Sequence, residues 1–573
     1  MMPDLTREKD LQRLREAEAA GGLKKYKVYT ALSGPGWLQG AITLGGGSLA
    51  GALYLGVIMG YQLMWLQPLA MVLGVIMLSA ISYVALSTNE KPFDSIKHHI
   101  SPALAWGWLL ASMLANIVWC LPQFALGTAA IQQNLFPASN NPTGLIIASA
   151  GLFIAATIVV WFYNSGSWGI RLFEGILKAL VGVVVLSFVG VVVAMTAKGA
   201  LPWGKIFMGF IPNPRYLFTP VPTMEVFIAA TGESAGWWRN LIADMQKDKI
   251  ITAFATAVGI NMTFLLPYSM LRKGWKKTHR GLAIFDLSIG LILPFVLATG
   301  CVVIASASQF HGQPDDVLQM LETGGGKEVN EYRNILDQRL TAIEGDSYTT
   351  LLNTAANETA ADRESAKMQV EAMRESLPEA EHRMAAMLAG RDNLALATTL
   401  QPLVGDQVSQ KLFGVGVLGM AISTIIILML INGFAFCEMI GAPHDGMMHR
   451  VGSMIPAVIG VFGPFVWSLA AAALATPTSV IGGAMLPIAY VSFFLLMNSK
   501  TALGDSMPTG GQRVRWNLLM SVATLVALFA SAWGLYGKRL GSFPIGNAAL
   551  LLLAVLLLVG VGSFFKKNRI SSK

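Results

Sequence analysis

Apolar blocks of about twenty residues, separated by short polar connectors, recur along almost the whole chain. Twelve of them centre on residues 32–58, 61–86, 103–130, 145–163, 172–197, 250–271, 284–307, 412–437, 452–474, 478–497, 516–536 and 546–565. Each approaches the ~20 residues that a helix needs to cross a bilayer core. "LVGVVVLSFVGVVVAM" and "NAALLLLAVLLLVGVGSFF" are the plainest. Connectors such as "FPASNNPTG" and "GDSMPTGGQR" are rich in turn formers. The pattern predicts an all-α polytopic membrane protein embedded in a lipid bilayer.

Two stretches depart from it. Met224 to Met245 is apolar in part, but it holds Glu225, Glu233, Arg239 and Asp244. Each charge costs roughly 2.5–3.5 kcal/mol near the centre of a bilayer. Leaving this stretch out of the membrane puts Arg272, Lys273, Lys276, Lys277 and Arg280 on the same side as both termini. That side is then the cytoplasm, since basic residues collect there. Residues 198–249 become an external connector, with Trp237 and Trp238 at the interface. The second stretch, 308–410, is polar and helix-prone; the expectation is a small external helical hairpin.

Composition narrows the class. Of the 573 residues, 54% are hydrophobic and 13% charged, against about 25% charged in soluble domains. The net charge of +8 fits lysines and arginines flanking spans and calls for no nucleic-acid partner. Cys120, Cys301 and Cys437 all lie in apolar segments and read as packing residues, not a disulfide framework or metal cluster. No HExxH, G-x-S-x-G or intramembrane acid pair suggests an enzyme, and nothing calls for a cofactor. The polar start, "TREKDLQRLREAEAAGGLKKYK", lacks a cleavable-signal pattern. Short loops and the absence of eukaryotic targeting signals point to a bacterial inner membrane.

The first apolar block reads "GPGWLQGAITLGGGSLAGALYLG". Gly45, Gly46 and Gly47, then Ser48, interrupt it. Glycines serve close helix packing, and that reading stands beside a functional one. Unwound backbone at membrane depth is tolerated where it lines a protein-enclosed cavity. In secondary transporters such breaks come in pairs related by an inverted repeat, and they hold the substrate. The sixth block carries a weaker counterpart, "AVGINMT", ahead of Pro267.

These segments resemble the NRAMP metal-ion transporters. "GPGWL" and "GALYLGVIMGYQLMW" look like the family's first span. "STNEKPFDSIKHHISP", "GIRLFEG", "ALPWGKIFMGFIP", "HRGLAIFDLSIGL" and "TSVIGGAMLPIAYVSFFLL" follow in the family's order. The resemblance covers most of the membrane region but neither long insertion. It implies a LeuT-like 5+5 inverted repeat plus two further helices, with helices 1 and 6 discontinuous. The chain then divides into a tail (1–28), a first repeat (29–197), the connector (198–249), a second repeat holding the insertion (250–497), and two last helices with a tail (498–573).

The departures from the family bear on the substrate. Its first break is Asp-Pro-Gly-Asn; here Gly45, Gly46, Gly47 and Ser48 stand there. Its second is Met-Pro-His; here Asn261, Met262 and Thr263 stand there, so the acid, the histidine and the thioether in register are gone. All seven histidines are expected in connectors. Thr43, Gly45–Ser48, Asn261, Met262 and Thr263 are the candidate substrate residues, and no residue is assigned to a metal. Neutral donors at half-helix N-termini suit a small oxyanion such as bicarbonate. The alternative keeps a divalent cation such as Mg²⁺, held with its waters. Na⁺ or H⁺ is the expected coupling ion. Ser423 and Thr424, with Thr43, form a candidate coupling-ion site, unless the hydroxyls bond the carbonyl one turn back. Asn116 and Gln123 read as interhelical glue before substrate ligands. Glu174, Lys178, Asp286 and Glu438 read as gating or interface residues. The oligomeric state is left open.

Overall fold

The computed structural model describes residues 4–571, apart from 164, 324–326, 358–361, 392, 445, 467–483, 540 and 541. Helices α1 (Asp4–Ala20) and α2 (Gly22–Leu32) lead into a first span that is broken in two. Its halves, α3 (Pro35–Thr43) and α4 (Gly46–Met59), meet at a bend of 55°. Then come α5 (Leu66–Thr88), α6 (Pro102–Leu135), α7 (Pro142–Tyr163) and α8 (Gly166–Ala197).

A second broken helix, α9 (Ala235–Thr256) and α10 (Ile260–Lys273), is interrupted at residues 257–259. The span α11 (Lys277–Phe310) precedes the insertion, and α18 (Gln407–Ile440) follows it. The remaining spans are α19 (Met447–Val466), α20 (Leu486–Met497), α21 (Gly510–Leu535) and α22 (Ile545–Ser571). Parts of the ninth and tenth expected blocks, and the start of "TSVIGGAMLPIAYVSFFLL", lie outside the described residues.

Helix α9 runs unbroken from Ala235, so residue 250, the expected start of the sixth span, lies inside it. The charges around its start are exposed and paired. Arg239 pairs with Glu225 at 2.8 Å, and Lys247 with Asp244 at 3.2 Å. Trp238 is not an interface anchor: it is fully buried and donates to Glu381 of the insertion at 3.0 Å. The insertion thus covers the Trp238 face of α9.

That cover is larger than a hairpin. Six helices build it: α12 (Asp315–Thr323), α13 (Lys327–Glu344), α14 (Asp346–Ala356), α15 (Arg363–Glu375), α16 (Glu379–Leu388) and α17 (Asn393–Val404). Some of its ionic contacts are shielded and mutually supporting. Arg374 holds Asp337 through two bonds of 2.8 Å, and Tyr348 adds a third at 2.6 Å. The Arg391 side chain is wholly enclosed, gripping Asp316 at 2.9 and 2.6 Å and the Ala386 carbonyl at 2.8 Å. The insertion rests on the ends of α4 and α9, with Glu381 joining Trp238 to Arg339 at 2.7 Å.

At the opposite face α3 is pinned. Its N-terminal amides at Gly34 and Gly36 donate to the Asp286 carboxylate at 3.0 and 2.6 Å. Lys178 donates to the Ser33 carbonyl at 2.7 Å, and Lys273 pairs with Glu174 at 2.9 Å. Glu438 bonds Lys91 at 2.9 Å and His444 at 2.6 Å. Gly290, in the wide turn of α11, lets α3 approach: a Cβ there would lie 2.6 Å from the Trp37 nitrogen.

Candidate functional site

The glycine triplet breaks the first span at its centre. Thr43 ends α3, Leu44 and Gly45 leave helical geometry, and Gly46 opens α4. No side chain caps the new N-terminus from Gly45. Instead the Gly46 amide donates to Gln123 of α6 at 3.0 Å. Bulk is excluded here. A Cβ on Gly45 would lie 2.7 Å from Thr424 Oγ1, one on Gly46 3.0 Å from Leu126, and one on Gly47 3.0 Å from Trp119. Ser48 turns back and donates to the Thr43 carbonyl, closing the loop of the break.

The second break supplies the facing wall. Gly259 is extended and Ile260 begins α10, so Asn261, Met262 and Thr263 occupy its first turn. The Asn261 side chain accepts from the Met262 amide at 2.9 Å and donates to Asn116 of α6 at 3.3 Å. The Met262 sulfur accepts from Thr43 Oγ1 at 3.3 Å and from the Gly259 amide at 3.4 Å. A thioether therefore sits between the two breaks, one residue later than the family's register places it. Thr263 turns the other way: it receives the Trp108 indole N–H at 2.9 Å and is wholly buried. Its place is in the packing between α6 and α10.

Ser423 and Thr424 reach across from α18 to the C-terminal carbonyls of α3. Ser423 donates to Ala41 O at 3.0 Å, with Met420 O one turn back at 3.2 Å. Thr424 lies 3.4–3.5 Å from the carbonyls of Ala41, Ile42 and Leu44. Local back-bonding is thus only part of what these hydroxyls do. They gather three carbonyls freed by the end of a helix, which is a neutral oxygen set of the kind that holds Na⁺ in discontinuous-helix carriers.

None of the side chains just named carries a formal negative charge. Among the described residues no group of three or more His, Cys, Asp or Glu could hold a metal ion. Two histidines depart from expectation: His279 lies in the first turn of α11, buried beside Trp275, and His449 in the first turn of α19, buried beside Phe434 and Tyr163. None of Cys120, Cys301 and Cys437 is in a disulfide. Gln39 was missed by sequence reasoning. It sits one turn before Thr43 on the same helix face, is fully buried, and donates to the Met262 carbonyl at 3.3 Å. A polar residue four positions before Thr43 in an otherwise apolar half-helix was the available signal.

Comparison with known proteins bears on this arrangement. The sequence pattern of a family described as "Natural resistance-associated macrophage protein-like" matches residues 36–325 and 384–536. Both broken helices fall inside the match, and most of the insertion falls in its gap. A metal transporter, Nramp2 of Populus trichocarpa, is 29% identical over 186 residues, 32% of each chain. Natural resistance-associated macrophage protein 1 of Sus scrofa is 28% identical over 184 residues, again 32% of each. The matched stretch thus spans about a third of these curated relatives' length. The crystal structure of the Eremococcus coleocola manganese transporter aligns with a TM-score of 0.62 at 14% identity, covering 96% of this chain and 97% of that one. This likeness extends the expected fold, with its discontinuous first and sixth helices, over nearly the full length. With a family pattern matched on both sides of the insertion and the same fold throughout, the chain belongs to the natural resistance-associated macrophage protein-like (Nramp) family.

Proposed function

We propose that the protein is a secondary transporter that carries a small inorganic ion across a membrane by alternating access. The observation that carries this reading is the pair of broken helices, α3/α4 and α9/α10, whose breaks meet among uncharged polar side chains, Thr43 Oγ1 bonding the Met262 sulfur at 3.3 Å. Unwound backbone at membrane depth is tolerated only where protein buries it or it lines a cavity, and in secondary transporters such paired breaks form the substrate site. The basic residues from Arg272 to Arg280 support a cytoplasmic placement of the α10–α11 turn. On that orientation the termini are cytoplasmic and the insertion covers the outer face.

The ion's class is argued from two sides. The relatives are named for metal and manganese transport, and this makes a divalent cation the first substrate to test. Without a carboxylate, such a cation is held through amide, carbonyl and thioether groups and keeps most of its waters, as Mg²⁺ does. A second reading rests on the breaks alone. The N-termini of α4 and α10 both lie at them, and helix N-termini favour anions. That supports a small oxyanion such as bicarbonate. Na⁺ coupling at Ser423, Thr424 and the α3 carbonyls would then offset its charge.

Proteoliposomes separate the two. The cation reading expects saturable Mg²⁺ or Mn²⁺ influx reported by an indicator dye. The anion reading expects a bicarbonate-driven rise in lumenal pH that needs a Na⁺ gradient. Uptake of neither ion class sinks the carrier proposal.

A further inference from the structure

We infer that Gln39 and Asn116 contact the carried ion, and that they do so through an oxygen ligand that both accepts and donates a hydrogen bond. The inference rests on the carrier reading above and names which of its residues sort ions.

Both side chains are fully buried, at 0% exposure. Each has one polar atom, Gln39 Oε1 and Asn116 Nδ2, with no hydrogen-bond partner among the described residues. A buried polar group without a partner is rare enough to call for a ligand or a cost. Which atom is left over is not arbitrary. The Met262 peptide group decides it at both ends. Its N–H donates to Asn261 Oδ1 at 2.9 Å, which forces the Asn261 Nδ2 outward. That Nδ2 donates to Asn116 Oδ1 at 3.3 Å, which leaves Asn116 Nδ2 as a free donor. The Met262 carbonyl accepts from Gln39 Nε2 at 3.3 Å, which leaves Gln39 Oε1 as a free acceptor. Flipping either amide would set N–H against N–H or oxygen against oxygen.

The three amides come from different helices, Gln39 from α3, Asn116 from α6 and Asn261 from α10. All three converge on the first turn after the second break. A bare cation satisfies the Gln39 oxygen and is repelled by the Asn116 amino group. A fully deprotonated anion does the reverse. An oxygen bearing a proton satisfies both. Two sources offer one: the water shell of a divalent cation, and hydrogencarbonate, which carries a hydroxyl beside its charged oxygens.

Asn116→Asp isolates the free atom, since the aspartate keeps the acceptor for Asn261 and replaces only the unpaired amino group. Gln39→Leu removes the free acceptor at similar volume. Each is measured in proteoliposomes for KM, and in detergent for the Tm shift that Mg²⁺, Mn²⁺ or bicarbonate induces. Both should change the KM of the carried ion by tenfold or more. For a hydrated divalent cation, Asn116→Asp lowers KM and enlarges the Mg²⁺- or Mn²⁺-induced shift. For hydrogencarbonate, it abolishes the shift. Gln39→Leu weakens either ion. Should Gln39→Leu fail to fold, Gln39→Met serves in its place. If KM and the ion-induced shift stay within twofold of wild type in both variants, the amides only pack and the inference falls. If wild type shows no uptake but an ion-dependent shift that the variants change in these directions, the carrier reading fails while this inference stands. Neither uptake nor shift in wild type overturns both.

Discussion

Asp286→Asn tests how the half-helix α3 is held at the face opposite the insertion. The carboxylate accepts from two backbone amides, Gly34 at 3.0 Å and Gly36 at 2.6 Å, and is almost fully buried. It replaces the side-chain N-cap that α3 lacks. Hydrogen bonds to a charged group contribute about 1.5–3 kcal/mol each. Asparagine keeps one acceptor and turns an N–H towards the other amide, so one bond is lost and one donor is left facing a donor. The net cost to the pinned state is roughly 2–4 kcal/mol. At about 1.4 kcal/mol per tenfold, the population with α3 released rises roughly 30- to 700-fold. Hydrogen exchange of peptides spanning 34–43, read by mass spectrometry, should show that loss of protection directly. Glu174→Gln is the control: it breaks the Lys273 pair and leaves both amide bonds in place, so exchange at 34–43 should move far less. Protection at 34–43 that is unchanged in Asp286→Asn would refute the capping argument.

Four further outcomes follow from the geometry. Gly45→Ala forces a methyl to within 2.7 Å of Thr424 Oγ1; overpacking of this kind costs about 1–3 kcal/mol and should lower Tm by a few degrees, and an unshifted Tm would mean the break relaxes freely. Arg391→Met leaves Asp316 without its buried partner, a loss of about 3–5 kcal/mol, so limited proteolysis should open within 327–388; Arg391→Met with Asp316→Leu should recover part of the resistance. Trp238→Phe removes the bond to Glu381, costing about 1–3 kcal/mol, and should raise hydrogen exchange at the start of α9 without affecting α21. His311 donates from Nδ1 to the Val57 carbonyl at 3.0 Å and takes Thr223 at Nε2, 2.7 Å away. Burial, its largest influence, pushes its pKa below the ordinary histidine value. The unfolded chain therefore binds this proton first as pH falls, and the contribution to stability is present above about pH 6.5 and lost below it. His311→Gln should flatten the Tm profile between about pH 5 and 7.

Much of the architecture is legible because lipid is a simple solvent. A run of apolar residues in a chain with so few charges has one stable arrangement, and the break at Gly45–Ser48 stands out inside such a run. The start of α9 shows the limit. Counting Glu225, Arg239 and Asp244 against hydrocarbon is correct arithmetic, and those side chains are exposed, but it says nothing of the neighbouring tryptophans: Trp238 lies under Glu381, and Arg339 covers Trp237. A hydropathy argument cannot see a cover supplied from residues far along the chain.

Alone, the sequence determines that this chain spans a membrane many times, that its first helix is broken by glycines, and that the residues at both breaks carry no acid. Those facts follow from local composition, which acts through each segment's own solvation. Tertiary structure decides what the polar residues near the breaks do. Thr263 becomes a partner of Trp108, Met262 returns a sulfur to Thr43, and Gln39 and Asn116 are each left with one unpaired atom. The direction in which a buried amide points depends on its neighbours. Here those neighbours come from helices separated by a hundred residues or more, which only packing brings together.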